Sequence, residues 1–139
     1  MANTLIPNAH FHHIALRVSD FERSLRFYTE GLGMKVVLRW GEGEGAAAML
    51  DIGDGGCIEM FAGGKPREIV SDAAGWFFHL AIGTDDPDAA FRRAVEAGAK
   101  EKNAPYDACI GDVHGDVPLH IAFVSGPDGE VIEFFQRKA

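Results

Sequence analysis

Short runs of alternating apolar and polar residues recur along this chain, and twice they give way to apolar residues spaced at three to four. Residues 11–18, Phe-His-His-Ile-Ala-Leu-Arg-Val, alternate and are partly β-branched or aromatic, which predicts a strand. Phe21, Leu25, Tyr28 and Leu32 then recur at helical spacing. Asp20 stands before them as an N-cap whose carboxylate can accept the free N–H groups of the first turn. Gly31 and Gly33 end this helix. Lys35–Trp40, 46–52 and Cys57–Phe61 predict three further strands between glycine-rich breaks.

The order then repeats. Residues 76–82 predict a strand, and Asp86-Pro87 a cap followed by proline at the first helical position, where its missing N–H costs nothing. Phe91, Ala94 and Val95 form the apolar stripe of the second helix, which Gly98 ends. Residues 100–103, 120–124 and 131–136 predict the later strands, with Pro127-Asp128-Gly129 as a hairpin turn. The second copy is the longer between its His and its Glu, and the excess falls at 104–118, rich in Gly, Asp and Pro and read as a loop. Residues 64–75 connect the copies. The reading is one domain over 1–139, with a first module at about 10–62 and a second at about 76–137.

Side chains alternate across a strand. In the first strand Ile14, Leu16 and Val18 form an apolar set that should pack on the helices. His13, Ala15 and Arg17 are left to line a cleft. Ile58 and Met60 likewise oppose Cys57, Glu59 and Phe61. Phe78, Leu80 and Ile82 oppose Phe77, His79 and Ala81, while Ile132 and Phe134 oppose Val131, Glu133 and Phe135. Each half thus offers one His and one Glu at matching points, away from its core set. An ionised carboxylate in an apolar strand is costly unless a positive charge compensates it. A divalent metal is the simplest compensation, and two imidazoles with two carboxylates form a suitable ligand set.

Composition narrows the picture. A net charge of −8 predicts no nucleic-acid partner, since phosphate contacts need a basic surface. No apolar run is long enough for a membrane span, and the first residues lack a basic region followed by a long apolar one, so neither membrane insertion nor a signal peptide is expected. Cys57 and Cys109 make no CxxC pair and read as reduced thiols of a cytoplasmic protein. Cys57 is read as a small buried filler rather than a nucleophile. His10 and His12 are read as solvated. His114 and His120 flank the loop, and either could reach the cleft.

His13-x-x-x-Arg17-Val18-Ser19-Asp20, Phe27-Tyr28, Leu32-Gly33 and Pro127-Asp128-Gly129-x-x-Ile132-Glu133 together resemble the vicinal oxygen chelate superfamily of glyoxalases, bleomycin-resistance proteins and dioxygenases. The resemblance covers nearly the whole chain. It implies an α+β fold of two βαβββ modules whose curled mixed sheets surround a metal cleft. It implies His13, Glu59, His79 and Glu133 as metal ligands. Glutamate at position 59 is shared with glyoxalase I, whereas extradiol dioxygenases generally lack it and bleomycin-binding members have lost the ligands. The implied activity is therefore that of a metal-dependent lyase or isomerase. Vicinal oxygens of a small substrate, such as a hemithioacetal, would chelate the metal while a proton passes through an enediolate. Glu133 would be the catalytic base and Glu59 a ligand and second base. Arg17 would hold a substrate carboxylate, with Cys57, Phe61, Phe77 and Phe135 shaping the pocket. An asparagine that helps glyoxalase I hold glutathione has Gly63 in its place. Nickel or zinc is the expected ion, then cobalt, manganese or iron, and the expected assembly a homodimer. The alternatives are an iron-dependent extradiol-type dioxygenase and a non-catalytic binder of a small, antibiotic-like molecule.

Overall fold

A computed structural model describes residues 4–6, 8–65, 74–75, 77–112 and 115–139. The first half comprises β1 (His13–Arg17), α1 (Phe21–Arg26), β2 (Lys35–Trp40), β3 (Ala47–Asp51) and β4 (Cys57–Phe61). The second comprises β5 (Leu80–Gly83), α2 (Pro87–Glu96), β6 (Lys100–Asp112), β7 (Gly115–Ser125) and β8 (Val131–Arg137). Each half is one four-stranded mixed sheet, ordered β1-β4-β3-β2 and β5-β8-β7-β6. In each, the strand before the helix pairs parallel with the last strand, and the remaining pairs are antiparallel.

The caps form as the sequence indicates. Asp20 accepts the Arg23 N–H at 3.0 Å and Asp86 the Ala89 N–H at 2.9 Å, so both helices begin on a carboxylate that also favours their positive end. The first helix is not α-helical to Gly31. It widens into a π-helical turn over Phe27–Gly31, where Leu32 N–H donates to Phe27 O at 3.0 Å. The Thr29 hydroxyl donates to Leu25 O at 2.6 Å, competing for the carbonyl that the α-helical pattern would use.

Both halves feed one core. Val18, Tyr28, Leu50, Ile58 and Met60 from the first pack with Phe91, Ala94, Val124, Ile132 and Phe134 from the second. Gly31 permits a close approach of the halves: a Cβ there would lie 2.6 Å from Ala97 Cβ. Polar bonds also cross. The Tyr28 hydroxyl donates to Glu130 Oε1 at 2.6 Å, and the Ser19 N–H and hydroxyl both donate to Asp128. Burial raises the Glu130 carboxyl above its usual range. Burial first, and then the Glu130 charge, raise the Tyr28 phenol well above its own.

Two expectations change. The stretch 104–118 is no loop: β6 runs to Asp112 and β7 begins at Gly115, in register from Tyr106↔Ile121 to Asp112↔Gly115. Pro105, which argued against a strand, falls at the register break between Asn103 and Tyr106, where no ladder N–H is required. The strand expected over 76–82 enters its ladder only at Leu80. Trp76, His114 and the connector 66–73 lie outside the described residues.

Candidate metal centre

The ladders set the geometry. In the β1–β4 pair Ala15 stands opposite Glu59, and His13 stands opposite Cys57. In the β5–β8 pair Ala81 stands opposite Glu133, with His79 two residues earlier. A methyl side chain therefore faces each glutamate and leaves room for an imidazole to reach across diagonally. His13 Nε2 lies 3.1 Å from Glu59 Oε2, and His79 Nε2 lies 3.2 Å from Glu133 Oε2. The two halves build the same His–Glu pair from unlike sequences. The Glu133 side chain is 10% exposed and that of Glu59 20%. Each pair sets one nitrogen and one oxygen donor side by side, a combination that suits a borderline divalent ion.

The pairs do not converge within a chain. Among the described residues, no three His, Cys, Asp or Glu side chains come close enough to hold one metal ion. Each half supplies two donors, and the four residues expected as ligands stand as two separate pairs.

Around the first pair, Arg17 donates from Nη1 to Ala62 O at 2.9 Å, with its guanidinium 5.6 Å from the Phe61 ring centre. Trp40 packs edge-on against Phe61. Around the second, Phe78 and Phe123 pack edge-on against His79, and Phe135 is half-buried opposite Ile121. Cys57 is buried beside the first pair, where burial and then the Asp51 and Asp54 charges raise its thiol. A raised thiol is a poor nucleophile. Phe77 is exposed and lines a cleft of about 590 Å³ between β1 and β5, together with Arg17 and His79. His13, Glu59 and Glu133 are not in that lining, so the cleft meets the second pair only through His79.

His120, left open by the sequence, does not reach the Glu133 face. It shares the face of Ala122 and Val124, opposite Phe123. Its Nε2 meets Asp88 of α2 at 2.5 Å and its Nδ1 meets Asp107 at 2.7 Å. Those hydrogen bonds, Asp107 first, raise its pKa. His12 is exposed, as the sequence indicates, and also touches a candidate ligand: its Nδ1 lies 2.7 Å from Nδ1 of His13. Alternation gave no warning, because it sends adjacent side chains to opposite faces. The adjacent His12-His13 pair was the available signal.

The chain belongs to the Glyoxalase/Bleomycin resistance protein/Dioxygenase superfamily, whose model matches residues 10–134. Within it, the chain is a lyase-like enzyme. It is 38% identical, over 96% of its length and 94% of the relative's, to a probable lactoylglutathione lyase of Vibrio parahaemolyticus. It is 33% identical, over 91% and 90%, to a lactoylglutathione lyase of Neisseria meningitidis. A glyoxalase I variant of Zea mays shares its fold at a TM-score of 0.64 and 25% identity, over 93% of this chain and 45% of that one. Membership suggests a divalent metal cofactor. No helix among the described residues is long and apolar enough to cross a membrane.

Proposed function

We propose that the protein is a divalent-metal lyase of the glyoxalase I type, acting on a small substrate with vicinal oxygens, of which a hemithioacetal is the first to test. The observation that carries this is the repeated pair, His13–Glu59 at 3.1 Å and His79–Glu133 at 3.2 Å. Two donors rarely suffice for a divalent ion, and four of this kind do. In this reading the centre is completed in a homodimer, with His13 and Glu59 from one chain and His79 and Glu133 from the second copy. The sheets support that arrangement, since β1 and β5 are edge strands with one ladder neighbour each. Val36, Leu38, Trp40, Phe77 and Phe78 are exposed apolar side chains that an interface would cover. Nickel or zinc suits the nitrogen and oxygen donors, with cobalt, manganese or iron next.

A divalent ion bound there would polarise the substrate oxygens and hold the negative charge that develops as a proton leaves. Glu133 takes that proton from the carbon beside the carbonyl and returns it to the neighbouring carbon, in a position shielded from water. Glu59 remains chiefly a ligand and serves as a second base. Arg17 presents the rest of its fork to a substrate carboxylate, its Nη1 being anchored on Ala62 O. Cys57, Phe61, Phe77 and Phe135 shape the walls. Gly63, at φ 77°, has an ideal Cβ position 3.3 Å from Glu44 O. A side chain is strained there, so a thiol-bearing substrate is held through Arg17 and not through an amide at 63.

Metal content and hemithioacetal isomerisation, measured on the wild type, Glu133→Gln and His79→Ala, test the proposal. It expects loss of metal in His79→Ala and loss of turnover in Glu133→Gln. Full metal and full activity in His79→Ala would show the ligand assignment to be wrong.

A further inference from the structure

We propose that the inward face of the β6–β7 hairpin, centred on Tyr106, is the wall that holds an apolar tail of the substrate. The proposal rests on the metal reading above and names a substrate class for that site: vicinal-oxygen compounds with an aromatic or long alkyl group in place of a methyl. Cross-strand partners share a face of a sheet. Phe123 stands opposite Glu133, and its ring packs edge-on against His79, 6.0 Å between centres. From Phe123 the same face runs along β7 through every second residue, Ile121, Leu119 and Val117. On β6 it takes in Tyr106 opposite Ile121, then Ala108 and Ile110. Leu119 and Ile121 are buried although they lie outside the core cluster that the halves share. Tyr106 and Ile110 are 43% and 54% exposed. The opposite face of the hairpin carries Asp107, Cys109, Asp116 and His120. The hairpin is thus polar outward and apolar on the side of the proposed base.

The first half has no such extension. Its matching hairpin stops level with its last strand, since Trp40, Ala47 and Phe61 form one row. In the second half β6 and β7 run on past Arg137, where β8 ends, from Cys109↔Pro118 to Asp112↔Gly115. A two-stranded ribbon gains little stability alone, and a row of exposed apolar side chains on it marks a contact. Substrate is the occupant that the row fits, because it starts at the His79–Glu133 pair and no charge interrupts it along β7 from Phe123 to Val117. Arg137 stands at the rim, across from Leu119. Residues on one face of a strand repeat about every 7 Å. The Tyr106–Ile121 row is one such step from the Phe123–Glu133 row, within reach of a benzyl group and beyond that of a methyl.

The test uses the full chain, with and without zinc, and two 2-hydroxy acids as probes. Lactate and 3-phenyllactate share the vicinal oxygens and differ in a methyl against a benzyl group. Calorimetry on the zinc-loaded protein should show 3-phenyllactate bound about tenfold or more tightly, as burial of a ring implies. Methyl NMR should show a ring-current shift of the Ile121 δ1 signal with 3-phenyllactate and none with lactate. Tyr106→Ser should remove most of the preference. Cys109→Ser, on the opposite face of the same strand, should retain it. Equal affinities without the Ile121 shift would overturn the inference, as would equal loss in both variants, which would mean only that the hairpin had been disturbed. A Tyr106→Ser chain that keeps the preference but loses its dimer in light scattering would give this face to a second copy and also overturn it. A protein that takes up no zinc, yet shows the Ile121 shift with 3-phenyllactate alone, would sink the metal reading and leave the wall standing.

Discussion

The two halves agree where a metal would be held and differ around it. Their sheets have the same strand order, their glutamates face the same small residue, and their His–Glu distances are 3.1 Å and 3.2 Å. Beyond the pairs they diverge. The first half puts Arg17 on the strand face beside its pair, and the matching place in the second is Gly83. The first backs its histidine with an imidazole, the second with a phenyl ring. The second encloses its carboxylate more deeply and extends its β6–β7 hairpin. What two diverged copies keep in common marks a demand on both, and the proposed demand is the ion. What they do not share divides the labour, with charge for holding substrate in the first half and a sheltered base in the second.

The division breaks first at the carboxylates. Glu133→Gln should lower kcat by about 10²–10⁴-fold, the usual span for losing a general base. Glu59→Gln should lower it much less, because the amide oxygen can still serve as a ligand. Equal losses in steady-state kinetics would erase the asymmetry.

The shared core predicts symmetry instead. Ile58 and Ile132 are 1% and 0% exposed, and truncation of either to alanine should cost about 2–5 kcal/mol. Urea unfolding should remain a single transition for both variants, since both side chains lie in one cluster. Two separated transitions would show that the halves are independent.

A smaller effect should follow from Arg17→Ala. It should raise KM for a carboxylate-bearing substrate about tenfold, in line with loss of a charge-assisted hydrogen bond, and leave kcat nearly intact. A substrate without a carboxylate should feel little change, and comparison of the two sharpens the role.

The mildest prediction concerns a clasp found in the second half. Asp88 and Asp107 flank His120, and Lys138 bonds Asp107 at 2.7 Å. Because the folded pKa of His120 is raised, its stabilising contribution is complete below the ordinary imidazole value and is lost as pH rises through the raised one. Thermal melts of wild type and His120→Gln should therefore differ more in mildly acidic than in mildly alkaline buffer. The reverse order would contradict the geometry.

Much of this was legible in the sequence, because period-two alternation is forced by the pleat. Ile14, Leu16, Ile58, Leu80 and Ile132 revealed the core faces, and so placed His13, Glu59 and Glu133 opposite. Asp20 and Asp86 revealed the helix starts, since a capping carboxylate is a local chemical requirement. Less legible were features in which local signals compete. Pro105 and the glycines of 104–118 spell a loop, yet cross-strand pairing overrides them where a register break spares the proline an N–H. Thr29 gives no outward sign that it widens a helix. The His12–His13 contact joins adjacent residues where the chain enters the ladder, and alternation assigns neighbours to opposite faces. That the two pairs stand apart within one chain depends on how the sheets are placed, which no strand pattern encodes.

The central claim is that one metal centre takes a His–Glu pair from the first half of one chain and a pair from the second half of another. It is tested most directly by mixed dimers of His13→Ala and His79→Ala chains, isolated with two different tags and assayed for bound metal. Each variant alone should bind no metal. The mixed dimer should recover one intact site, built from the unaltered pair of each chain, and so bind one ion. A mixed dimer as empty as its parents, beside a wild type that binds metal, would contradict the account.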